Sequence, residues 1–313
     1  MLSLRRLRRP TLLGAQYRIR QVELRIRYAH RAAVAMGGLF LRPPGQRPEI
    51  AAVLVGRNDD YMPDFYDRLR ATISWNVARL AGEVVFVEWN PPPGRPLLAP
   101  RLAAEFACLK AFVIPNELHR AVGGGDLPLV EFNAKNVGIR RATSPWIVAT
   151  NADAAFGLDT TLALSRAMLS PSTIWTAQRV DIPWPEGRTR SVAFSDCLRY
   201  RRMIPYEPLG TGEFALAHRS LWERARGYDE ALVRHRLTGD IRGTAQMRLL
   251  GGTTQRAGLV LHLAHPSSCT EGVRPHHGEF YPPLDNLPYH NPATWGLAHC
   301  RESEIDTRVW RLD

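Results

Sequence analysis

The segment from Glu131 to Phe156, EFNAKNVGIRRATSPWIVATNADAAF, places a carboxylate directly after a buried strand. Apolar residues in its first part recur at the spacing of a helix that packs on a sheet. Pro145 ends that helix, because proline has no N–H and restricts the residue before it. The apolar run Trp146 to Thr150 then predicts a strand, and Asp153 follows its carboxyl end. Open α/β sheets bind ligands at this edge, so the segment predicts a ligand site.

Similar strand and helix patterns alternate along the preceding part of the chain. Ile50 to Val55, Val84 to Val87 and Ala111 to Ile114 are predicted strands. Between the first two, apolar residues recur at helical spacing from Phe65 to Leu80. Strands that alternate with helices predict an α/β fold, with a mostly parallel central sheet flanked by helices. Beyond residue 170 the patterns are irregular, and we assign this half to the same domain.

These patterns predict three parts of the chain. Residues 1–48 form a basic arm and linker, with the proline-rich segment RPPGQRP at 42–48 as the linker. Residues 49–300 form one catalytic domain, and residues 301–313 form a C-terminal tail. A chain of 313 residues is long enough for such a domain to bury a large core.

The net charge of +11 is concentrated in the arm. Residues 1–48 contain eleven arginines and one acid, Glu23, whereas the other 265 residues contain 30 basic and 29 acidic side chains. The nearly neutral body argues against a nucleic-acid-binding domain. Three interpretations of residues 1–42 remain open. They are a solvated or packed segment, contact with an anionic membrane surface, or nucleic acid binding.

Cysteine spacing and hydropathy indicate a cellular compartment. The four cysteines are far apart and form no C-x-x-C pair, which argues against a zinc cluster and against a disulfide framework. The sequence has no apolar run close to the roughly 18 residues that a membrane span needs. We therefore expect a cytoplasmic protein, with peripheral membrane association through the arm as the alternative.

Eight segments resemble, in the same order, those of glycosyltransferases with the GT-A fold, and they are most similar to family 2-like enzymes. The segments are VLVGRNDD, VVFVEWNPP, NAKNVGIRRA, the Asn-Ala-Asp tripeptide, GTGEFALAHRSLWERARGYDE, TGD, HLAH and NPATWGLA. The resemblance covers about residues 50–300. It implies a Rossmann-like GT-A sheet, an irregular acceptor-side second half, and a nucleoside-diphosphate sugar as the donor substrate.

The resemblance also implies a divalent cation, Mn²⁺ or Mg²⁺, bound by Asp153 and a histidine of the HLAH segment. Such an ion takes hard ligands and neutralises the charge of a departing diphosphate. The family commonly has an acid at both ends of the tripeptide, whereas this chain has Asn151 at the first position. His262 and His265 would not share one face of an extended chain. We therefore expect one of them to bind the ion, and we favour His262.

Two carboxylates are candidates for the catalytic base. Asp240, in TGD, is predicted to begin a helix, where family 2-like enzymes place a carboxylate that takes the proton of the acceptor hydroxyl. Attack from the face opposite the phosphate inverts the anomeric carbon. Aspartate is also a preferred helix N-cap, so a structural role remains open. Glu213, which lies among glycines, is the second candidate and could instead bind donor hydroxyls.

The resemblance implies that the donor nucleotide contacts polar residues at the ends of strands and on the helix before Trp146. Short polar side chains can pair with a base or ribose where the chain turns, and a carboxylate accepts hydrogen bonds from ribose hydroxyls. A lysine on the helix can contact the diphosphate. For the strand-end residues, a turn or an exposed acid is the alternative interpretation. The assigned residues are Arg57, Asn58, Asp59, Glu88, Lys135, Asn136 and Asn151.

Three functions are consistent with the sequence. The first is metal-dependent transfer of a sugar to an unidentified acceptor, with inversion. The second is a catalytically silent GT-A domain that acts as a binding or scaffold module, because one acid of the metal tripeptide is missing. The third is a nucleotidyltransferase, although VLVGRNDD lacks the glycine-rich phosphate loop typical of that class. No nucleic acid partner is expected.

Overall fold

The computed structural model describes most of residues 48–313 and ten residues of the arm. The arm residues are 19, 21–23, 26–27, 29–30 and 33–34, all helical. The other described residues are 48–59, 62, 64–166, 169–185, 187–189, 191–197, 202–203, 212–233, 239–265 and 286–313. Within these ranges, no helix is both long enough and apolar enough to cross a membrane.

Strands and helices alternate in the first half of the domain, as predicted. All four strands predicted there are present, and three of them are longer than predicted. The elements are β1 (Ile50–Gly56), α1 (Phe65–Arg79), β2 (Ala81–Trp89), α2 (Leu98–Glu105), β3 (Leu109–Ile114), α3 (Asn116–Ala121), α4 (Glu131–Arg141) and β4 (Trp146–Thr150).

The second half contains shorter helices and strands of varied length. The elements are β5 (Ala154–Phe156), α5 (Leu158–Arg166), β6 (Thr173–Ile182), α6 (Phe194–Cys197), β7 (Arg202–Met203), β8 (Phe214–His218), α7 (Arg219–Ala225), α8 (Gly239–Leu249), β9 (Thr253–Leu263), β10 (Glu302–Asp306) and β11 (Val309–Leu312). His262 therefore lies within β9, one residue before the strand ends.

The described strands form one sheet in the order β10-β11-β3-β2-β1-β4-β8-β6-β9-β5, with β7 beside β6. The block from β11 to β4 is parallel. β8 is antiparallel to β4 and β6, β5 is antiparallel to β9, and β6 and β9 are parallel. The predicted α/β class is confirmed: the parallel block is its regular half, and the antiparallel strands belong to its irregular half.

The last residues of the chain belong to the sheet, so the prediction of a tail at 301–313 is wrong. β10 and β11 form an antiparallel pair, and β11 runs parallel to β3 with Val309 beside Ala111. Trp310 stacks on Phe112 with ring centroids 5.4 Å apart, and Leu312 is buried. Strand propensity depends on such neighbours, which are distant in sequence, so the local pattern did not reveal these strands.

Helix α4 packs tightly on the sheet at Gly138. A Cβ added to Gly138 would approach Cγ1 of Val53 to 2.5 Å, so only glycine permits this packing. The helix is buried from Phe132 to Ile139, including the polar Lys135. This close packing carries the lysine to the carboxyl edge of the sheet, beside the site described below.

Candidate active site

Three neighbouring strands bring two carboxylates to opposite sides of one imidazole. In the parallel pair β6–β9, Asp181 lies beside His262, and in the antiparallel pair β5–β9, Ala154 lies beside the same histidine. Asp153 immediately precedes β5. Nε2 of His262 is 3.2 Å from Oδ2 of Asp153, and Nδ1 of His262 is 3.0 Å from Oδ1 of Asp181.

His265 reaches the same aspartate because the chain leaves the sheet after β9. Its Nε2 is 3.0 Å from Oδ2 of Asp153, and the ring centroids of His262 and His265 are 4.9 Å apart. β9 ends at Leu263, so the spacing rule for an extended chain no longer applies to His265. The two histidines were not expected to share one face, but the structure places both rings at Asp153.

A buried arginine of α1 holds this turn. Arg68 donates hydrogen bonds to the carbonyl oxygens of Leu263 at 2.9 Å and Ala264 at 3.3 Å. Its Nε pairs with Oδ1 of Asp64 at 2.7 Å, which balances the buried charge. The position of His265 thus depends on a side chain almost 200 residues earlier in the sequence.

The cluster has the chemistry of a site for a divalent cation. Asp153, His262 and His265 each offer one ligand atom, and these atoms lie within 4.8 Å of one another. A carboxylate with two imidazoles is a donor set that Mn²⁺ accepts. A carboxylate on the far nitrogen of a ligating histidine is a common means of orienting the ring, and Asp181 occupies that position. The residues present therefore fit such an ion.

The charges of the cluster stabilise one another. Burial opposes ionisation of Asp153, but the charges and hydrogen bonds of His262 and His265 hold its pKa well below the usual value. Burial also opposes the charged form of His262, yet Asp153 and Asp181 together raise its pKa to about 9. For Asp181, hydrogen bonds and charges of His262 and Arg179 outweigh burial and lower the pKa to about 2. Because only a neutral imidazole binds a metal, a cation at His262 must displace the proton of the ligating nitrogen, while the other nitrogen keeps its proton.

Arg179 connects this cluster to the candidate base Glu213. Its Nη1 lies 2.6 Å from Oε1 of Glu213, its Nε 2.8 Å from Oδ1 of Asp181, and its Nη2 2.9 Å from Nδ1 of His262. The Arg179 side chain is 26% exposed, more than the groups it contacts. Neither Arg179 nor Asp181 is among the predicted site residues. The sequence did contain a signal for them. Two charged residues lie two positions apart on a mostly apolar strand, and this spacing places both on one face of the sheet.

A second group of polar residues surrounds Gly212. The buried ammonium of Lys135 donates hydrogen bonds to Oε1 of Glu131 at 2.6 Å, Oδ1 of Asn151 at 3.0 Å and the carbonyl of Gly212 at 2.9 Å. These bonds use all three donors of the ammonium. A Cβ on Gly212 would lie 3.8 Å from Oδ2 of Asp240 and 3.9 Å from Nζ of Lys135. The structure therefore brings the predicted residues Lys135, Asn151 and Asp240 together.

Asp240 has the properties of a proton acceptor that works near neutral pH. It lies in the first turn of α8 and is buried. Burial and the negative charge of Glu213 raise the pKa of Asp240 to about 7, while the charge of Lys135 opposes the shift. General bases are most effective when their pKa lies close to the working pH. Glu213 is ion-paired with Arg179, which makes it a weaker candidate for the base.

The loop after β1 is tied to two neighbouring segments. Nε of Arg57 pairs with Oδ2 of Asp59 at 2.7 Å, and Nη1 of Arg57 donates to the carbonyl of Pro128. Nδ2 of Asn58 donates to the carbonyl of Pro96 at 2.8 Å. The loop begins at the carboxyl end of a parallel strand, where α/β sheets place nucleotides.

Two other residues predicted to contact the nucleotide have partners in the scaffold. Both carboxylate oxygens of Glu88 accept N–H bonds at the start of α2, from Leu98 at 3.0 Å and Ala99 at 2.8 Å. Burial raises the pKa of Glu88 to about 7 despite these bonds. The amide of Asn136 bonds the backbone N–H and carbonyl of Tyr228 at 2.7 and 2.8 Å. The polar atoms of Glu88 and Asn136 thus stabilise the scaffold.

The fold is similar to that of solved glycosyltransferases. The structure of GalNAc-T7 with UDP, GalNAc and Mn²⁺ aligns over 76% of this chain, with a TM-score of 0.50 and 13% identity, and this chain covers 47% of GalNAc-T7. A mannosyltransferase from Pyrobaculum calidifontis, in complex with GDP-Man and Mn²⁺, aligns over 78% of this chain and 70% of its own, with a TM-score of 0.47 and 18% identity. No protein-family model matches the sequence, and no curated protein does.

The likeness to GalNAc-T7 establishes the class of fold. This chain has the GT-A fold, the fold that the sequence resemblance implied. A likeness at this level of identity concerns the arrangement of the chain, and fold does not imply function.

Proposed function

We propose that this protein is a metal-dependent glycosyltransferase that moves a sugar from a nucleoside-diphosphate sugar to an acceptor hydroxyl. One observation carries the proposal: Asp153, His262 and His265 converge in a GT-A fold, within reach of a single cation. A buried carboxylate with a pKa near 7 and an arginine that faces the cluster supply the other groups that such a transfer needs.

The cation would be held by Asp153, His262 and His265. Two nitrogen ligands favour Mn²⁺ over Mg²⁺, which prefers oxygen ligands. When bound, the ion neutralises negative charge on the diphosphate as it leaves the sugar. Asp181 holds the ring of His262 from its other nitrogen, and Arg68 holds the turn that carries His265. In this proposal, both are positioning residues.

The donor would bind along the carboxyl edge of the parallel strands. The loop Arg57-Asn58-Asp59 offers short polar groups to the nucleoside. The guanidinium of Arg179 is partly exposed beside His262, and its planar set of donors suits the oxygens of a diphosphate. We assign the contact with the diphosphate to Arg179 because its side chain is 26% exposed, whereas Lys135 is fully buried and all three of its donors have partners.

Asp240 would be the base. It accepts the proton of the acceptor hydroxyl while that oxygen attacks the anomeric carbon, and the carbon–oxygen bond to the diphosphate breaks on the opposite face. This geometry gives inversion. The ammonium of Lys135, fixed by Glu131 and Asn151, supports the ionised form of Asp240. Glu213, paired with Arg179, is proposed to bind donor hydroxyls.

Metal-dependent nucleotide binding is the test of this function. Thermal unfolding is measured with a panel of nucleoside diphosphates, with and without Mn²⁺. A ligand at about 100 times its Kd stabilises the folded state by about 2.7 kcal/mol. We expect one nucleoside diphosphate to raise Tm only with Mn²⁺, and Asp153→Asn to lose that response. Asp306→Asn, on strand β10, is the matched control.

The same panel separates transfer from binding. After the nucleotide is identified, release of its diphosphate from the corresponding nucleotide sugars is measured with and without simple hydroxyl acceptors. Release that requires Mn²⁺ and increases with an acceptor supports the transferase. If no nucleotide shifts Tm under any condition, the transferase proposal is wrong, and the catalytically silent GT-A module becomes the better interpretation.

A further inference from the structure

The described part of the basic arm presents apolar side chains to solvent. Ile19, Val22, Ile26 and Val34 are helical and are 68%, 52%, 67% and 55% exposed. Among all the described residues, only two other large hydrophobic side chains are classed as exposed. Scattered surface hydrophobics are ordinary, but a concentration in one short segment marks an interaction site.

The apolar residues of this segment share one helix face. At 3.6 residues per turn, Ile19, Val22, Ile26, Ala29 and Ala33 fall within an arc of about 80°. All five are among the described helical residues, and all five are exposed. Among the described residues of the arm, this face is therefore an apolar stripe. It matches the face that an amphipathic helix buries at a membrane interface.

The charge around the stripe is strongly positive. Residues 1–48 carry eleven arginines and one acid, Glu23. Glu23 forms an exposed ion pair with Arg27, with Nη2 2.5 Å from Oε1. The remaining residues of the chain are almost neutral, with 30 basic and 29 acidic side chains. The positive charge and the apolar stripe therefore coincide in one segment.

We propose that the described helical residues of the arm lie in the surface of an anionic lipid bilayer, with Ile19, Val22 and Ile26 inserted at the boundary between headgroups and acyl chains. Arginines attract the phosphates of anionic lipids, and the stripe supplies the apolar contact. The combination of charge and apolar stripe favours a bilayer over nucleic acid as the anionic partner. A nucleic acid backbone attracts the arginines but has no apolar layer that could cover the stripe. The combination also disfavours pairing with a second copy, because two such arms would repel each other.

The proposal does not depend on the proposed transferase activity, and it is tested on the full chain. Cosedimentation is measured with vesicles of phosphatidylcholine alone and with vesicles that also contain phosphatidylglycerol. We expect binding to the anionic vesicles, weaker binding to the neutral ones, and loss of binding as salt screens the arginines. Equal binding to both vesicle types, or no binding to either, overturns the proposal.

Two matched triple variants test the stripe. I19S/V22S/I26S removes apolar area and should weaken binding to anionic vesicles about tenfold or more. I19L/V22L/I26L retains apolar area and should bind like the wild type. If the serine variant binds as well as the leucine variant, the apolar face is not inserted, and charge alone explains the binding.

Size-exclusion chromatography with light scattering, without lipid, tests the alternative partner. We expect the wild type and both triple variants to have the same oligomeric state. A wild-type oligomer that the serine variant alone dissociates would show that a second copy covers the stripe, and it would overturn the bilayer proposal. An unchanged Tm of all three proteins confirms that the folded body is intact.

Discussion

Nδ1 of His262 lies 3.0 Å from Oδ1 of Asp181, on the side of the ring opposite Asp153. The strand pair β6–β9 sets this contact, because Asp181 and His262 are register partners. The ring is thereby held between two carboxylates, and its Nε2 is directed at Asp153. An imidazole oriented in this way is prepared to bind a cation that Asp153 also binds.

Asp181→Ala is predicted to weaken Mn²⁺ binding about ten- to a hundredfold, because the ring of His262 loses its orienting partner. Mn²⁺ affinity is measured by electron paramagnetic resonance, which reports free ion and needs no substrate. Asp306→Ala, on strand β10, is the control and should leave the affinity unchanged. Equal affinities in wild type and Asp181→Ala would show that Asp181 does not position a metal ligand.

Asp240→Asn is predicted to keep donor binding and to lower the rate of transfer about 10²- to 10⁴-fold. Asparagine occupies nearly the same space but cannot take a proton, and general base catalysis contributes about this much. The measurements are kcat with acceptor and the Tm shift caused by nucleotide with Mn²⁺. Retained turnover would move the role of base to Glu213 or to another group.

The rate of transfer is predicted to rise with pH up to about 7 and then to level off. Asp240 must be ionised to act as the base, and its pKa is about 7 because of burial and the charge of Glu213. The charge of Glu131 raises this pKa and the charge of Lys135 lowers it. Glu131→Gln should therefore move the acidic limb of kcat/KM to lower pH, and Lys135→Met should move it to higher pH. A limb that neither variant moves does not belong to Asp240.

Arg68→Ala is predicted to destabilise the fold by about 3–5 kcal/mol, since removal of one partner leaves the buried charge of Asp64 unpaired. Free energies of unfolding in urea give the measurement. Arg70→Ala is the control on the same helix. The pair of Arg70 with Glu105 is 41% and 30% exposed, so its loss should cost less than about 1 kcal/mol. Similar losses for the two variants would contradict the assignment of Arg68 as a buried tie.

Glu88→Gln is predicted to reduce the pH dependence of stability. The carboxyl has a pKa of about 7 in the folded protein against an ordinary 4.5, because burial disfavours its charge. A raised folded pKa gives stability that is present below about pH 4.5 and is lost as pH rises through about 7. The shift corresponds to about 3 kcal/mol. Urea unfolding at about pH 5 and pH 8 should show this loss in the wild type and a smaller one in the variant. An equal loss in both would contradict the prediction.

The local pattern was sufficient for strands β1 to β4, which form most of the parallel block. An apolar run in the sequence indicates a buried strand. Asp153 follows such a run closely in sequence, so it was predicted at the carboxyl end of β4. Asp240 was predicted at the head of a helix for the same reason, and the structure places it in the first turn of α8. Both predictions needed only residues that are close in sequence to the predicted aspartate.

The contacts of the metal cluster could not be predicted in this way. Whether His265 reaches Asp153 depends on the turn after β9, which Arg68 holds from a distant helix. Asp181 and Arg179 join the site only because β6 is placed beside β9 with a particular register. Strand β11 is likewise defined by β3, about 200 residues earlier.

The sequence by itself determined the class of fold, the strand ends that carry polar groups, and the positive charge of the arm. These features can be read from neighbouring residues, because burial produces a periodic pattern of apolar residues and charge is counted directly. Only the tertiary structure decided which polar groups meet: two histidines at Asp153, Asp181 behind His262, and Lys135 beside Asp240. Strand order and register decide these contacts, because they bring together side chains that are about 100 residues apart in sequence. The local periodicity of the sequence carries no information about contacts at that separation.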